Sequence, residues 1–591
     1  MIRKLIRQML TAQILSALTV SLCLLIDSII IGRFLGVESM AAYQLANPIL
    51  LMMGALGSML AAGVQVACSK SLGRGSQTET DSGYSSAIAL TLGLSLALML
   101  AVLIFSGQIA SVMGAGKTGT LHDQTRSYMV GFIIGVPASM GALILLPFMQ
   151  MAGKNNILIA AVLGMTISDI GLDLLNVLVF RGGMFGMGLA SSISYYVAMA
   201  IGCGYFLSKK CMFRFSRRLA TKKKISELFR GGVPAVFHMA SGVILTFLLN
   251  KLLLGTGGSD AVAAYSVLNS IGNSASCIST GIGSVSLTMT GILFNEEDRH
   301  GLEDMMKQLF RASVVLGLAV GAVLVIFAPA FVSLFLPEAG AVRSMAILGV
   351  RLFAAGMVPY CINTALKNAY QVTGRERLTE TISLVAGAVF PALAAFILSR
   401  FLGTTGVWFY FAAGQLLMLL SLGLLIRLYS GTQPWKDGAY LLLKNDLIVA
   451  KEDVLEADIH TLEDMDRAVR ETEEFCLERG ESRRVSMRLA LCVEEMASNT
   501  RLHGFPKDNL PHHLSVRVLD KKDGWVVRFR DDCGAFDPVH YIPKEGKDAL
   551  GIRLALAIAE ETSYIYSLNL NNLTLKLPTE RALQNAGAEH Q

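Results

Sequence analysis

From Met1 to Ser430 the chain returns repeatedly to apolar runs of about twenty residues, separated by short polar turns. A run of that length crosses the hydrocarbon core of a bilayer as a helix, which satisfies its own backbone polar groups there. The runs number about twelve, near 10–34, 42–66, 84–106, 127–151, 156–180, 187–208, 231–254, 261–292, 309–335, 343–367, 378–400 and 405–428. The expected class is a mostly α membrane protein of twelve transmembrane helices. Only 16% of the chain is charged, against about 25% in soluble domains, so most of it does not face water. The start, with Arg3, Lys4 and Arg7 ahead of an apolar run, imitates a secretory signal. That run is too long, contains Asp27 and Arg33, and ends on no small-residue cleavage site. It reads as a first span with a cytoplasmic start.

The pattern stops at Ser430–Asp437, where Gly431, Pro434 and Gly438 punctuate the end of the last run. Residues 440–591 are rich in Asp, Glu, Lys and Arg and read as a soluble domain. Nine cysteines are scattered without a CxxC pair or metal spacing, which argues against disulfides and zinc. The net charge of +6 sits largely in loops of the apolar part and implies no nucleic acid. The densest basic cluster, Lys209, Lys210, Arg214, Arg217, Arg218, Lys222, Lys223, Lys224 and Arg230, follows the sixth run. Lys and Arg favour the cytoplasmic side, so this loop and the N-terminus share it and each half holds an even number of spans. Twelve spans then leave the C-terminal domain in the cytoplasm, and the expected location is a bacterial inner membrane.

The two halves resemble each other. "IDSIIIGRFLGVESMAAYQLANPI" from Ile26 matches "LNKLLLGTGGSDAVAAYSVLNSI" from Leu249 with one single-residue gap. Asp27 falls on Asn250, Gly32 on Gly255, Tyr43 on Tyr265 and Asn47 on Asn269. Gln150–Lys154 recurs 221 residues later as Gln371–Arg375, and Gly186 and Gly406 keep nearly that offset. Two six-helix lobes, residues 1–220 and 221–432, are expected; such repeats build secondary transporters whose halves rock about a central site.

Ionisable groups within spans are costly and usually functional. The first half holds Asp27 in its first span and Asp169 and Asp173 in its fifth, the latter pair at i, i+4 on one helix face. Carboxylates brought together in a low dielectric resist ionising together, which suits a site that takes up and releases H⁺ or Na⁺. The structural alternatives are an Asp169 that caps an irregular helix start and a shallow Asp27 paired with Arg33. The second half has Asn250 in place of Asp27 and no acid in its eleventh run, so the ion site is expected on one side only.

Those stretches, with "ISDIGLDLLNVLVF", "GMFGMGLASSIS" and "GGSDAVAAYSVLNSIGN", resemble the multidrug and toxic compound extrusion (MATE) family over about residues 1–430. The resemblance implies a V-shaped pair of lobes exporting small cationic or amphipathic organic compounds in exchange for H⁺ or Na⁺, surrounded by membrane lipid. It assigns Asp27 and Asp173 to the cation site, with Asp169 where relatives can carry Asn, and Ser191 completing the oxygen cluster. A lipid-linked oligosaccharide flippase of the same superfamily is disfavoured, because few Arg or Lys lie within the runs.

Residues 445–580 read as a strand at Leu447–Ala450, helices at Leu462–Glu478 and Arg484–Leu502, and two strands around Lys521–Gly524. A helix at Leu550–Glu561 and a hairpin ending at Leu577 follow, making an α/β sandwich. On the second helix Glu495, Asn499 and His503 share a face; an Asn oxygen suits Mg²⁺ beside phosphates and a carboxylate can orient a water. "RDDCGAFDP" ends a strand, and Leu550-Gly551-Ile-Arg553 opens a helix whose N-terminal amides favour phosphate. In this order the motifs resemble the histidine-kinase-like ATPase fold, in its anti-sigma-factor serine-kinase branch. The resemblance implies ATP and Mg²⁺ at Glu495 and Asn499, Asp531 against adenine and Gly551 at the phosphate lid. Cys533 and Ala535 stand where that family has glycines, so Asp532-Cys533-Gly534 is a second register of the same motif. Two readings follow: an antiporter with an ATP-binding regulatory domain, or a membrane sensor whose domain binds or phosphorylates a cytoplasmic protein partner.

Overall fold

The computed structural model describes residues 2–208, 211–336, 340–431, 433–434, 438–443, 451–507, 511–521, 524–542 and 549–578. The apolar part is helical throughout: α1 (Ile2–Ile30), α2 (Val37–Gly73), α3 (Gln77–Ala110), α4 (Thr120–Ile133), α5 (Val136–Met151), α6 (Asn155–Leu175) and α7 (Gly183–Phe206) form the first half. The second half holds α8 (Lys222–Ala275), α9 (Cys277–Asn295), α10 (Arg299–Phe335), α11 (Ala341–Ala354), α12 (Met357–Val372), α13 (Glu376–Leu384), α14 (Phe390–Leu402), α15 (Thr404–Val407) and α16 (Tyr410–Ser430). Among the described residues nine helices are long and apolar enough to cross a membrane, or eleven when each bent pair is one span.

Two expected spans, 127–151 and 343–367, are not single helices. They are the bent pairs α4/α5, at 47°, and α11/α12, at 49°. Gly135 precedes Pro137 and Gly356 precedes Pro359; a proline in a helix's first turn loses no intrahelical bond, while the glycine before it eases the turn. Both glycines also meet neighbours at close range, Gly135 against Ser192 and Gly356 against Phe411 and Ala412, leaving no room for a side chain. Their positions differ by 221, the offset of the Gln150/Gln371 match, so the internal repeat extends to helix geometry. The long α8 is broken at Gly258, whose φ of +67° lies outside helical space, and this separates the expected spans 231–254 and 261–292.

The two halves meet at one end of the bundle. Gly63 of α2 meets the backbone of Leu228 in α8, Gly232 of α8 meets the backbone of Met59 in α2, and Gly73 lies on Ile292 and Asn295 of α9. Beside these contacts Gln150 Oε1 accepts from Gln13 (3.2 Å), Gln65 (3.4 Å), Ser284 (3.3 Å) and Thr288 (3.4 Å). Gln13, Gln65 and Gln150 come from the first half and Ser284 and Thr288 from the second, so one buried oxygen joins both. Gln150→Leu takes this acceptor from all four donors, though Gln65 keeps its 2.8 Å bond to Ser284, at about 1–3 kcal/mol for a buried unpaired group. A lower thermal midpoint in detergent is the expected result; an unchanged midpoint would show that the cluster does not hold the halves together.

The C-terminal unit is a five-stranded antiparallel sheet ordered β1-β2-β3-β5-β4, with β1 (Val454–Ile459), β2 (Leu514–Lys521), β3 (Gly524–Asp531), β4 (Glu561–Ser567) and β5 (Leu570–Leu577). Three helices, α17 (Leu462–Glu478), α18 (Arg483–Asn499) and α19 (Leu550–Ile558), complete it. Alternation decides its faces. Leu514, Val516, Val518, Val527, Phe529, Leu573 and Leu575 share a core with Met465, Leu489, Val493 and Ile552 of the helices. The intervening Arg517, Arg528 and Arg530 project from the other face.

Some expected bounds shift. The helix expected over Leu550–Glu561 ends at Ile558, because Glu561 pairs with Lys576 and opens β4. The helix expected over Arg484–Leu502 keeps α geometry only to Asn499 and then forms a π turn over Thr500–Gly504. The strand expected at Leu447–Ala450 lies outside the described residues, as do Lys209, Lys210 and Asp523, and Val454–Ile459 is the first strand described.

Candidate functional site

Asp27, Asp169, Asp173 and Ser191 come together inside the first half, and all are buried. Asp27 lies within hydrogen-bonding reach of Asp173, while Asp169 lies against Ser191, Ser194 and Cys23. Beyond the contact of Asp27 with Asp173, neither oxygen of Asp173 has a hydrogen-bond partner among the described residues, nor has Oδ1 of Asp27 or of Asp169. Arg33 is exposed and forms no ion pair among the described residues, so the shallow Asp27–Arg33 pair is not what the chain builds. Both acid-bearing helices pass into a π turn just beyond the acids, at Ile31–Leu35 and Asn176–Phe180; such bulges are frequent at functional sites. Asn176 holds the second of these in place, donating to Gly183 O (3.1 Å) and accepting from Gly182 N–H (3.1 Å).

Three tyrosines close around the acids. Tyr43 and Tyr128 pack edge to face at 5.3 Å, and Tyr195 approaches from α7. Spacing in the sequence marks neither these rings nor Ser194 and Cys23, which depend on how α1, α4, α6 and α7 meet. In the other half Asn250 replaces Asp27, and a neutral buried pair, Asn363 Nδ2 to Gln415 Oε1 at 3.1 Å, lies between α12 and α16. Among the described residues the buried acids of that half, Glu296, Asp298 and Glu303, lie at the α9–α10 turn and the start of α10.

The C-terminal unit carries a cavity of about 670 Å³ between α18, α19 and the ends of β3 and β5. Glu495, Asn499, His503, Asp531, Gly534 and Gly551 all line it. Asp531 Oδ1 accepts from Asn571 Nδ2 (2.8 Å) and Cys533 N–H (3.0 Å), which fixes its orientation. Burial pushes the Asp531 carboxyl up, against the lowering effect of those donors. Asp532 instead accepts from His513 N–H (2.8 Å) and faces His512, so of the two registers Asp531 is the one at the cavity. Gly551 sits so close to the Glu495 carboxylate that a side chain there would collide with it. Asn571 also bonds to the carbonyls of Cys533 and Gly534 and accepts from Phe536 N–H and Tyr564 OH. It organises the 531–536 loop, yet nothing in its local sequence announces that. Gly546, in the expected lid, lies outside the described residues.

The arginine face of the sheet rests on the α9–α10 turn. Arg530 pairs with Glu296 and lies 3.4 Å from Asp298, and Lys521 Nζ lies 2.8 Å from Glu297. Asp298 also caps α10, accepting from Gly301 N–H at 2.7 Å. Burial pushes its carboxyl up, but Arg517, Arg530, the Gly301 N–H and Arg528 outweigh this and hold it below the usual carboxylate range. A carboxylate lowered in the folded state stabilises above its unfolded value, and that contribution is lost as pH falls through the folded one. The contact should therefore persist at pH 5 and weaken only below about pH 4, read as hydrogen exchange of residues 296–303. Exchange that already rises between pH 6 and 5 would contradict this.

The MatE family model matches residues 12–175 and 234–425. Multidrug export protein MepA of Staphylococcus aureus (strain NCTC 8325 / PS 47) is 24% identical over 394 residues, covering 66% of this chain and 85% of that protein. The probable multidrug resistance protein YoeA of Bacillus subtilis (strain 168) is 24% identical over 419 residues, covering 67% and 87%. Among solved structures, a MOP superfamily transporter from Pyrococcus furiosus superposes with a TM-score of 0.66 at 20% identity, covering 71% of this chain and 94% of that one.

Proposed function

Because this chain belongs to the MatE family, we propose that it exports small amphipathic or cationic organic compounds across a bacterial inner membrane by antiport against H⁺ or Na⁺. The observation that carries this is the buried cluster of Asp27, Asp169 and Asp173, in which Oδ1 of Asp27, Oδ1 of Asp169 and both oxygens of Asp173 lack partners among the described residues beyond the contact of Asp27 with Asp173. Buried carboxylates are stable when neutralised. Taking up H⁺ or Na⁺ meets that need, and losing it restores a repulsive cluster that favours a different arrangement of the lobe. Relatives named as multidrug export proteins support the substrate class.

On this reading α1 is a further span beside the eleven that qualify by length and composition, and the twelve would form lobes 1–220 and 221–432 with the N-terminus and residues 445–580 in the cytoplasm. The end where the lobes meet is then the cytoplasmic one. For residues 445–580 we infer a nucleotide-binding regulatory role. The cavity offers an amide oxygen and a carboxylate on one helix face, a held aspartate at a strand end and the start of α19, which suits ATP with Mg²⁺. Asn499 and Glu495 would hold the metal–phosphate end and Asp531 the base, and Mg²⁺ would neutralise phosphate charge there. Strand β3 serves both faces: Arg530 reaches the α9–α10 turn and its neighbour Asp531 reaches the cavity.

The test is ethidium efflux from vesicles containing the purified chain, under an imposed H⁺ or Na⁺ gradient in turn. Efflux that follows one gradient supports the reading. Efflux indifferent to both, alongside nucleotide binding, would favour the sensor reading.

A further inference from the structure

We propose that the C-terminal unit is a clamp across the two lobes, anchored on the second and latched onto the first, that must release the first lobe for the covered end to open. The anchor is charged and buried. Arg530 meets Glu296 and Asp298, Arg517 donates to the Glu297 carbonyl (3.1 Å) and lies 3.7 Å from Asp298, and Lys521 meets Glu297. All three acids belong to the turn between α9 and α10. The chain that leads into the unit is tied to the same lobe: Tyr370 OH donates to Tyr440 O (2.7 Å), and Arg375 donates to Leu442 O.

The contact with the first lobe is different in kind. Leu568 N–H donates to Met151 O (2.8 Å), Asn569 Nδ2 donates to Gly153 O (2.9 Å), and Ser563 Oγ donates to Gly75 O (2.9 Å). All three come from the β4–β5 hairpin, and all are neutral. The hairpin tip is shaped for the purpose. Leu568 and Asn569 both hold left-handed backbone, at φ 57° and 60°, the geometry of a tight two-residue turn. Gly153, at φ +69°, lets that tip approach its backbone so closely that a side chain there would collide with Asn569.

Opposite attachments on one rigid sheet make this a clamp. Rocking-lobe transport requires the lobes to part at each end in turn. At this end they are already joined through Gly63, Gly232 and the Gln150 cluster. Parting them stretches the unit between an anchor of largely buried ion pairs and a latch of three neutral hydrogen bonds beside the buried Ile565, Leu568 and Leu570. Charge-assisted bonds are roughly twice as strong as neutral ones, and the chain leading into the unit is bonded to the anchoring lobe as well, so the latch is the side that opens.

The test uses the full-length chain in vesicles with the double substitution Ser563→Ala and Asn569→Gly; glycine keeps the left-handed turn while removing the side-chain donor. The expected result is at least tenfold faster hydrogen exchange at the Leu568 amide, protection of residues 296–303 unchanged, and gradient-driven ethidium efflux raised several-fold. Faster exchange at Leu568 with efflux equal to the unsubstituted chain would overturn the clamp, because the contact would then restrain nothing. Unchanged exchange at Leu568 would overturn it too, since the side-chain bonds would not be holding the turn. The efflux arm rests on the transport reading, and the two failures separate cleanly. No efflux from the unsubstituted chain defeats that reading, whereas efflux unaffected by latch removal defeats only the clamp.

Discussion

Asp173→Asn and Asp27→Asn should each remove gradient-driven efflux while leaving the protein inserted and folded. Asparagine keeps the size and polarity of the side chain and deletes only its ability to bind H⁺ or Na⁺ as an anion. Asp173 is fully buried, and beyond Asp27 its oxygens have no partner among the described residues; the asparagine amide can still donate to Asp27, so the substitution breaks no hydrogen bond that the fold depends on. Neutral asparagine should, if anything, relieve the crowding with Asp27. What disappears is the free-energy link between ion occupancy and lobe conformation, and couplings of this kind amount to factors of about 5–150. A loss of that order in energised ethidium efflux is expected, with normal abundance in the membrane and a thermal midpoint no lower than that of the unsubstituted chain. Asp169→Asn should be milder, since Ser191, Ser194 and Cys23 already provide it with polar company. Full coupled efflux in the Asp173→Asn protein would remove the acid cluster from the mechanism. Collapse of the protein itself would assign those carboxylates to stability rather than coupling.

How much of this was legible without coordinates depends on the range of the physics involved. Span positions were legible because a bilayer imposes one length on every helix and the sequence writes that length in apolar residues. The i, i+4 spacing of Asp169 and Asp173 needs only helix periodicity, and Asp27 stands out as a charge in an apolar run. The α4/α5 and α11/α12 bends were not legible, although Gly135-Val-Pro137 and Gly356-Met-Val-Pro359 are visible: both runs stay apolar through the bend, and hydrophobicity is blind to direction. Tyr128 and Tyr195 were hidden for another reason. An aromatic in a span is ordinarily packing, and only the meeting of α4 and α7 with α6 sets these two beside the acids. The arginine face of the sheet could be read as solvent-exposed alternation. Its true partner, Glu296-Glu297-Asp298, lies more than two hundred residues away in sequence, and no local pattern connects the two.

The second large effect concerns the C-terminal unit. Nucleotide binding by the full-length chain should fall about 10- to 150-fold with Asn499→Ala or Asp531→Ala, the equivalent of a charge-assisted hydrogen bond worth about 1.5–3 kcal/mol. The two substitutions act at different ends of the cavity and should be told apart by ligand. Asp531 is held by Asn571 and the Cys533 amide so that its carboxylate presents at the strand end; its loss should weaken ATP but leave inorganic triphosphate unaffected. Asn499 lies on the α18 face with Glu495, so its loss should weaken both ligands and abolish the dependence on Mg²⁺. Gly551→Val is the steric control. A side chain at that position collides with the Glu495 carboxylate, so it should block binding by displacing Glu495 and filling the cavity beside it. Equal affinity across all four proteins would mean that this cavity does not bind nucleotide. The Arg530 contact with the α9–α10 turn would then stand as a docking surface alone, since it is built from the opposite side of β3 and needs nothing from the cavity.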